Sequence, residues 1–397
     1  MSQLAYQTAG ESHGPSLIVI VTGMPAGVDV DQDFINSELA RRQGGYGRGA
    51  RQRIEQDVIE VLSGVRHNRT IGSPVALRIV NKDSRLDDAD KTPPVYRPRP
   101  GHADLAGSIK WLTTDCRDTL ERASARETAA RTAAGALARC LVRPFGIEAF
   151  GFVRSILDVT VAAAVNPENW KAYRATRDGS ETYCPDPEVT ARQCQVIRQA
   201  KMDKDTVGGL IEAHIFGCPP GLGSCVDWRE KLDARLAFAA MSIQAIKSVE
   251  IGLGRDVTLR PGSQVHDPIR FDRSIVETHT LGFTRDTNNA GGTEGGMTNG
   301  QPLVIRAAMK PISTLLRGMP SVDLNTKQPE ASTYERSDIC AVPAASVVLE
   351  NVCAFEVAAA FRDKFGGDSM TEVKAGYERY LELARSLPLD PPSMTLA

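Results

Sequence analysis

The stretch TAGESHGPS at residues 8–16 sets a carboxylate, a hydroxyl and an imidazole side by side, as Glu11, Ser12 and His13. Such groups serve proton transfer or nucleophilic attack, yet side chains adjacent in sequence diverge, and the G-x-S-x-G elbow of serine hydrolases is missing. A second imidazole, His102, follows Gly101 in RPRPGHADL at residues 97–105, where prolines stiffen the chain beside Asp104. A loop histidine of this kind acts as a proton donor, a phosphate ligand or a structural hydrogen-bonder. Positive charge gathers in RRQGGYGRGARQR at residues 41–53, where Arg41, Arg42, Arg48, Arg51 and Arg53 stand among glycines and Tyr46. Guanidinium forks hold phosphate and carboxylate bidentately, and glycines let backbone N–H groups approach an anion. The segment therefore reads as an anion clamp, a solvated basic loop or a nucleic-acid segment. Arg122 and Arg126 stand about one helical turn apart in ERASARET, and Arg336, Ser337 and Asp338 precede an apolar run, where the aspartate could also cap a helix.

Together these clusters exceed what one phosphate needs, so the implied ligand carries several negative groups. Neither an H-E-x-x-H pair nor a Walker loop is present, which disfavours a zinc protease and an ATP-driven kinase, and no metal is expected. Over the whole chain 47 Lys and Arg face 49 Asp and Glu, a net charge of -2 that offers no general attraction to nucleic acid or acidic membranes. Any anion site must be local. The eight cysteines form no C-x-x-C pair, against both a disulfide scaffold and a zinc ribbon. The first residues, MSQLAYQTAG, lack the pattern of a secretion signal, and no run of about 18 apolar residues occurs, so a cytoplasmic protein with no membrane partner is expected.

These residues need elements to hold them. SLIVIVT at residues 16–22 is a short β-branched run and predicts a buried strand. Asp31 offers an N-cap for a helix ended by Gly44 and Gly45, and SPVALRIV at residues 73–80 predicts another strand. Residues 115–142 are rich in Ala, Arg and Leu and predict one long helix, whose alanines imply close approach to another element and a central position. Residues 167–204 are polar and read as an excursion from the core. Strand character returns at residues 207–216 and from Pro302, with an Ala-rich helix at residues 232–246 between them and a Gly/Asn loop at residues 286–301. Residues 354–387 predict two helices parted at Gly366-Gly367, with Ser369 and Glu372 at capping-box spacing. Without a βαβ rhythm or a G-x-G-x-x-G turn, the fold class is α+β in layers. A single domain over residues 1–387 and a disordered tail at residues 388–397 are expected.

Seven motifs in order, GESHG (10–14), RRQGGYGRG (41–49), RPGHAD (99–104), ERASARET (121–128), NNAGGTEGGMTNGQ (288–301), KPISTL (310–315) and RSDICAVPAA (336–345), resemble the chorismate synthase family over nearly the whole chain. The resemblance implies a lyase that removes phosphate from 5-enolpyruvylshikimate 3-phosphate by 1,4-anti elimination, giving chorismate for aromatic amino acid biosynthesis. It implies dependence on reduced FMN without net redox change, NADPH only as a reductant, and a homotetramer. The implied fold is a β-α-β sandwich with long central helices between antiparallel sheets. Some members reduce their own flavin and others depend on an external flavin reductase, which the motifs leave open.

By motif, the resemblance assigns substrate anions to Arg42, Arg48, Arg51, Arg99, Arg126 and Arg336, with Ser12 assisting. Flavin contacts fall to Ala123, Ser124, Ala125, Gln244, Ala245, Gly296, Lys310, Pro311, Ile312, Ser313, Thr314 and Arg336. His13 is implied beside the flavin pyrimidine edge, His102 near the leaving phosphate or the enolpyruvyl bridge, and Asp338 beside flavin N5. Two other classes remain to be weighed: a nucleic-acid binder using residues 41–53, with steeply salt-dependent affinity, and a phosphatase passing through phosphohistidine. The net charge and the 6% aromatic content weigh against nucleic acid.

Overall fold

The computed structural model describes residues 3–49, 56–332 and 337–388. SLIVIVT forms strand β2 (Ser16–Thr22), which pairs antiparallel with β1 (Ala5–Ala9). Leu17, Val19 and Val21 are buried while Ile20 faces outward, the period-two pattern of a half-buried strand. The hairpin closes through Gly10 at φ 106°, where a Cβ would strike the Ser16 carbonyl, so only glycine fits. With β3 (Ile59–Ser63) and β4 (Val75–Val80) these strands make a four-stranded antiparallel sheet in the order β1-β2-β4-β3. A second antiparallel sheet holds β5 (Glu148–Ile156), β6 (Val159–Thr160), β7 (Gly209–Phe216), β8 (Ile246–Ile251) and β9 (Leu303–Met309), in the order β8-β9-β7-β5-β6.

The helices are α1 (Gln32–Gln43), α2 (Asp104–Trp111), α3 (Arg117–Ala123), α4 (Thr128–Val142), α5 (Trp170–Asp178), α6 (Pro187–Met202), α7 (Leu232–Met241), α8 (Val342–Phe365) and α9 (Met370–Arg385). The mixture of sheets and helices is α+β. The Asp31 side chain accepts from Phe34 N to start α1, and Gly44 ends it. Ser369 and Glu372 make the capping box of α9. α4 and α8 pack on one another, α4 also against β2 and β4, α8 also against β5 and β7. Every residue of α4 is buried, and a Cβ at Gly135 would strike the Asn351 carbonyl on α8, so small side chains set this close approach. Among the described residues α8 alone is long and apolar enough to cross a membrane, but 94% of its apolar window is buried inside the protein.

Three expectations are corrected. Residues 115–142 are not one helix: Ser124 turns extended at ψ 141° and its side chain caps the following turn by accepting from Arg126 N. Propensity would run the helix through; the cap and the burial of Arg126 override it. Arg122 and Arg126 consequently part, the first donating to the Gly10 and Thr8 carbonyls, the second buried against Asp57. Residues 167–204 are not an excursion from the core, since Trp170 of α5, Val189 of α6 and Cys184 between them pack with Phe150, Phe152 and Phe216, and Ile197 and Ala200 of α6 join the main core. The helix expected to Ile246 stops at Met241, because Ile246 opens β8 and residues 242–245 turn inward, with Ala245 at φ 68°.

Candidate active site

The β1–β2 hairpin loop, the C-terminus of α1, the α3–α4 break, the turn after α7 and the segments following β4 and β9 surround a cleft of about 1050 Å³. Ser12 and His13 enter it from a loop held by its backbone: Ser12 N donates to the Glu121 carbonyl at 3.0 Å, and Arg85 N and Leu86 N donate to the His13 carbonyl at 2.9 and 3.0 Å. Asn81 Nδ2 donates to the Gly14 carbonyl at 2.8 Å. His13 Nδ1 lies 2.8 Å from Glu121 Oε1, and His13 N donates to Oε2 at 2.8 Å. An ionised carboxylate only accepts, so Nδ1 carries a proton. Nε2 sits 3.3 Å from Arg85 Nη2 and 3.9 Å from Asp83 Oδ2. Burial alone would raise the Glu121 carboxyl, but the His13 hydrogen bonds and charge, with Arg117, hold it below the usual carboxylate range.

The end of α1 supplies the clamp. Arg42 donates from Nε to Thr128 Oγ1 at 2.9 Å and from Nη2 to the Ala125 carbonyl at 2.8 Å. Burial pushes its guanidinium down to about 9 against the pull of Asp57, and the nearby charges of Arg126 and Arg48 push the same way. Arginine keeps its proton in proteins, so a pocket that disfavours further positive charge favours an anion beside Arg42. Arg48 Nη1 meets Asp338 Oδ2 at 2.5 Å, and Gly49 N donates to Oδ1 at 2.6 Å. Asp338 thus anchors the clamp rather than capping α8, whose N-cap is Ala341. Arg126 Nη1 forks onto Asp57 at 2.7 and 2.6 Å, and its Nε donates to Asn81 Oδ1 at 2.8 Å.

On the opposite wall Arg99 donates from Nε to Asp104 Oδ2 at 2.8 Å and from Nη1 to Thr314 Oγ1 at 3.0 Å. His102 Nδ1 also bonds Asp104, which fixes the ring. Burial would raise Asp104, but hydrogen bonds from His102 and Arg99 and the charge of both hold it well below the usual range. Lys310 Nζ donates to the Gly101 carbonyl, and burial, with Lys247, pushes its ammonium pKa down.

The cleft gathers Ser12, His13, Arg42, Arg48, Arg99, His102, Arg126 and Asp338, and with them Ala123, Ser124, Ala125, Gln244, Ala245, Lys310, Pro311, Ile312, Ser313 and Thr314. Gly296 does not join them. Its carbonyl accepts from Leu232 N at the start of α7, whereas Gln244 and Ala245 follow the other end of that ten-residue helix, roughly 15 Å away by helix rise. Arg51 and Arg336 lie outside the described residues. No group of three or more His, Cys, Asp or Glu suited to a metal occurs among the described residues. Among the described residues Arg42, Arg48, Arg85, Lys91, Arg99, Arg126 and Lys310 line the cleft against only Asp83 and Asp338.

The chorismate synthase family model matches residues 4–361. The chain belongs to that family. It is 52% identical over 394 residues to the chorismate synthase of Geobacter metallireducens, covering 96% of this chain and all of the relative, and the same figures hold for that of Geobacter sulfurreducens at 52%. A solved structure described as chorismate synthase superposes with a TM-score of 0.79 at 40% identity, over 98% of this chain and 100% of that one. In this member of the chorismate synthase family, sequence reasoning missed Asp83, Arg85 and Lys91. They sit in NKDSRLDDADK after β4, a run of mixed charges. The only signal was its position: it follows directly the strand that pairs with the His13 hairpin.

Proposed function

We propose that this member of the chorismate synthase family is a lyase that eliminates phosphate from 5-enolpyruvylshikimate 3-phosphate in the 1,4-anti sense, forming chorismate, and that it does so with reduced FMN. The observation that supports this best is the cleft's surplus of cations around two imidazoles, each with one nitrogen occupied by a carboxylate. A substrate with two carboxylates and a phosphate, and a cofactor with another phosphate, would neutralise that surplus.

The residues present fit a flavin. Ala123, Ala125, Ala245, Ala344 and Ala345 offer small apolar surface within the cleft, and Gln244 Oε1 is a buried acceptor with no partner among the described residues. A ring N–H is the kind of donor that oxygen lacks. Ser124, Gln244 and Ala245 would hold the ring, with Lys310, Ser313 and Thr314 near the ribityl phosphate. When bound, reduced FMN supplies an electron-rich ring that eases departure of the phosphate without net redox change.

The chain's own groups have separate tasks. Arg42, Arg48 and Arg126 bind and orient the anionic substrate, and their charge-assisted bonds strengthen as charge builds on the departing phosphate. His102 Nε2 delivers a proton to that phosphate, with Asp104 fixing the ring. His13, its ring orientation set by Glu121, would stand beside the flavin edge as an electrostatic and proton partner. Asp338 fixes Arg48 and presents a proton-accepting carboxylate to the cleft. Leu120, Ile243, Ile312 and Val348 limit the water around the reacting groups. The same proposal carries a sandwich layering, a homotetramer, a cytoplasmic location, and NADPH or an external reductase acting only upstream on the flavin.

Anaerobic addition of 5-enolpyruvylshikimate 3-phosphate to protein with reduced FMN tests this, with chorismate absorbance and released phosphate followed together. Equal release of both is expected. Chorismate formed with oxidised FMN and no reductant, or none from folded protein under reducing conditions, would overturn the proposal. Replacing Arg48 by Ala removes a charge-assisted contact and should raise KM by about tenfold to a hundredfold. A near-normal KM in steady-state assays would remove Arg48 from the clamp.

A further inference from the structure

We infer that the helical segment 170–202, outside every motif of the family resemblance, is the rear clasp of the arginine clamp, with Tyr183 as its positioning residue. This rests on the substrate-binding part of the proposed function. The clamp's turn, residues 44–49, is stitched on one face to residues 338–340: Ile339 N donates to the Gly47 carbonyl at 2.8 Å and Gly49 N to Asp338 at 2.6 Å. On the other face it is held by the segment between α5 and α6. Tyr46 N donates to the Glu181 carbonyl at 2.6 Å, and Tyr183 Oη donates to the Arg41 carbonyl at 2.6 Å.

The fit leaves no slack. A Cβ at Gly44 would strike Tyr183 Oη, and one at Gly47 would lie 2.9 Å from Ile197 Cγ2 on α6. Tyr183 is itself buried and held at φ 57°, a conformation disfavoured for its type, while its carbonyl accepts from Val153 N on β5 at 3.0 Å. The strain is thus tied to a central strand and set against the end of α1. Arg41 is drawn the same way, meeting Glu350 at 2.5 Å, which Arg177 of α5 meets at 3.1 Å. Adjacent arginines therefore divide their work: Arg41 anchors backward into α5 and α8, and Arg42 is left pointing into the cleft.

Tyr183→Phe removes one hydrogen bond and keeps the ring. It should raise KM for 5-enolpyruvylshikimate 3-phosphate about three- to tenfold, with kcat unchanged and oxidised-FMN affinity, read by flavin fluorescence, also unchanged. Gly44→Ala should raise KM further by displacing the hydroxyl, and adding Tyr183→Phe should bring KM back toward that of Tyr183→Phe alone, since the ring carbon then stands 3.5 Å from the new methyl. A purely structural role would lower the melting temperature and leave KM unmoved. If Gly44→Ala does not fold, Tyr183→Phe alone decides. Absence of chorismate from the unaltered protein would overturn the function itself, whereas normal turnover with unchanged KM in Tyr183→Phe overturns only the clasp.

Discussion

Replacing His13 by Ala should lower kcat by about a hundredfold to ten-thousandfold, the range spanned by loss of a positioned acid or base, with a far smaller change in KM. The effect should appear in turnover because the loop does not depend on the side chain. Ser12 N bonds the Glu121 carbonyl of α3, while Arg85 N, Leu86 N and Asn81 Nδ2 bond the His13 and Gly14 carbonyls, so the substrate arginines stay where they are. Glu121 also keeps the His13 N–H at 2.8 Å and Arg117 at 3.6 Å, which limits the cost of the lost imidazole. Steady-state kinetics under reducing, anaerobic conditions separate the two parameters. A rise in KM with kcat preserved would reassign His13 to binding.

Replacing Glu350 by Ala should destabilise the fold by about 3–5 kcal/mol, measured by urea unfolding. Glu350 is fully buried on α8 and faces Arg41 at 2.5 Å, Arg139 at 3.1 Å and Arg177 at 3.1 Å, while Glu38 takes up Arg41 and Arg139 at 2.9 Å each. Without Glu350, Arg41 and Arg139 would share Glu38, Arg177 would be left with the part-exposed Asp178 at 2.8 Å, and the Gly151 N–H that donates to Glu350 at 3.0 Å would lose its acceptor. Burial alone would raise this carboxyl, but the three arginines outweigh it and hold it well below the usual range. The folded value lies below the unfolded one of about 4.3, so the stabilisation is present above that pH and is lost as pH falls toward the folded value. Glu350→Gln should therefore show a flatter acid limb than the unaltered protein. A loss under 1 kcal/mol, or an unchanged acid limb, would show that the network relaxes around the missing charge.

Much of the local structure was legible because local rules governed it. Asp31 and Gly44 bound α1 as cap and stop, the capping box starts α9, and the β-branched run SLIVIVT marks β2. The α3–α4 break was not legible, because Ala-rich propensity runs straight through Ser124 while a buried Arg126–Asp57 pair, 69 residues apart in sequence, favours the turn. Residues 167–204 read as an excursion from the core for a similar reason. Their polar side chains outnumber the few apolar ones, such as Trp170 and Val189, that carry the packing. Arg85 and Lys91 were hidden in a run of opposite charges, and nothing local distinguishes a charge that lines a cleft from one that faces water.

The sequence by itself determined the types of groups available for chemistry, the ordered motifs that carry the family resemblance, and the α+β class, since hydrophobic period and capping act over a few residues. Only the tertiary structure decided which of those groups meet. Ser12 and His13 did not become a triad: chain geometry parts neighbours, and Glu121, 108 residues on, is what orients the imidazole. Likewise Arg41 and Arg42 are equal in the sequence, yet a buried carboxylate on α8 draws one inward and leaves the other to the cleft. Burial makes an unpaired charge costly, so the positions of the few buried carboxylates settle where each arginine points.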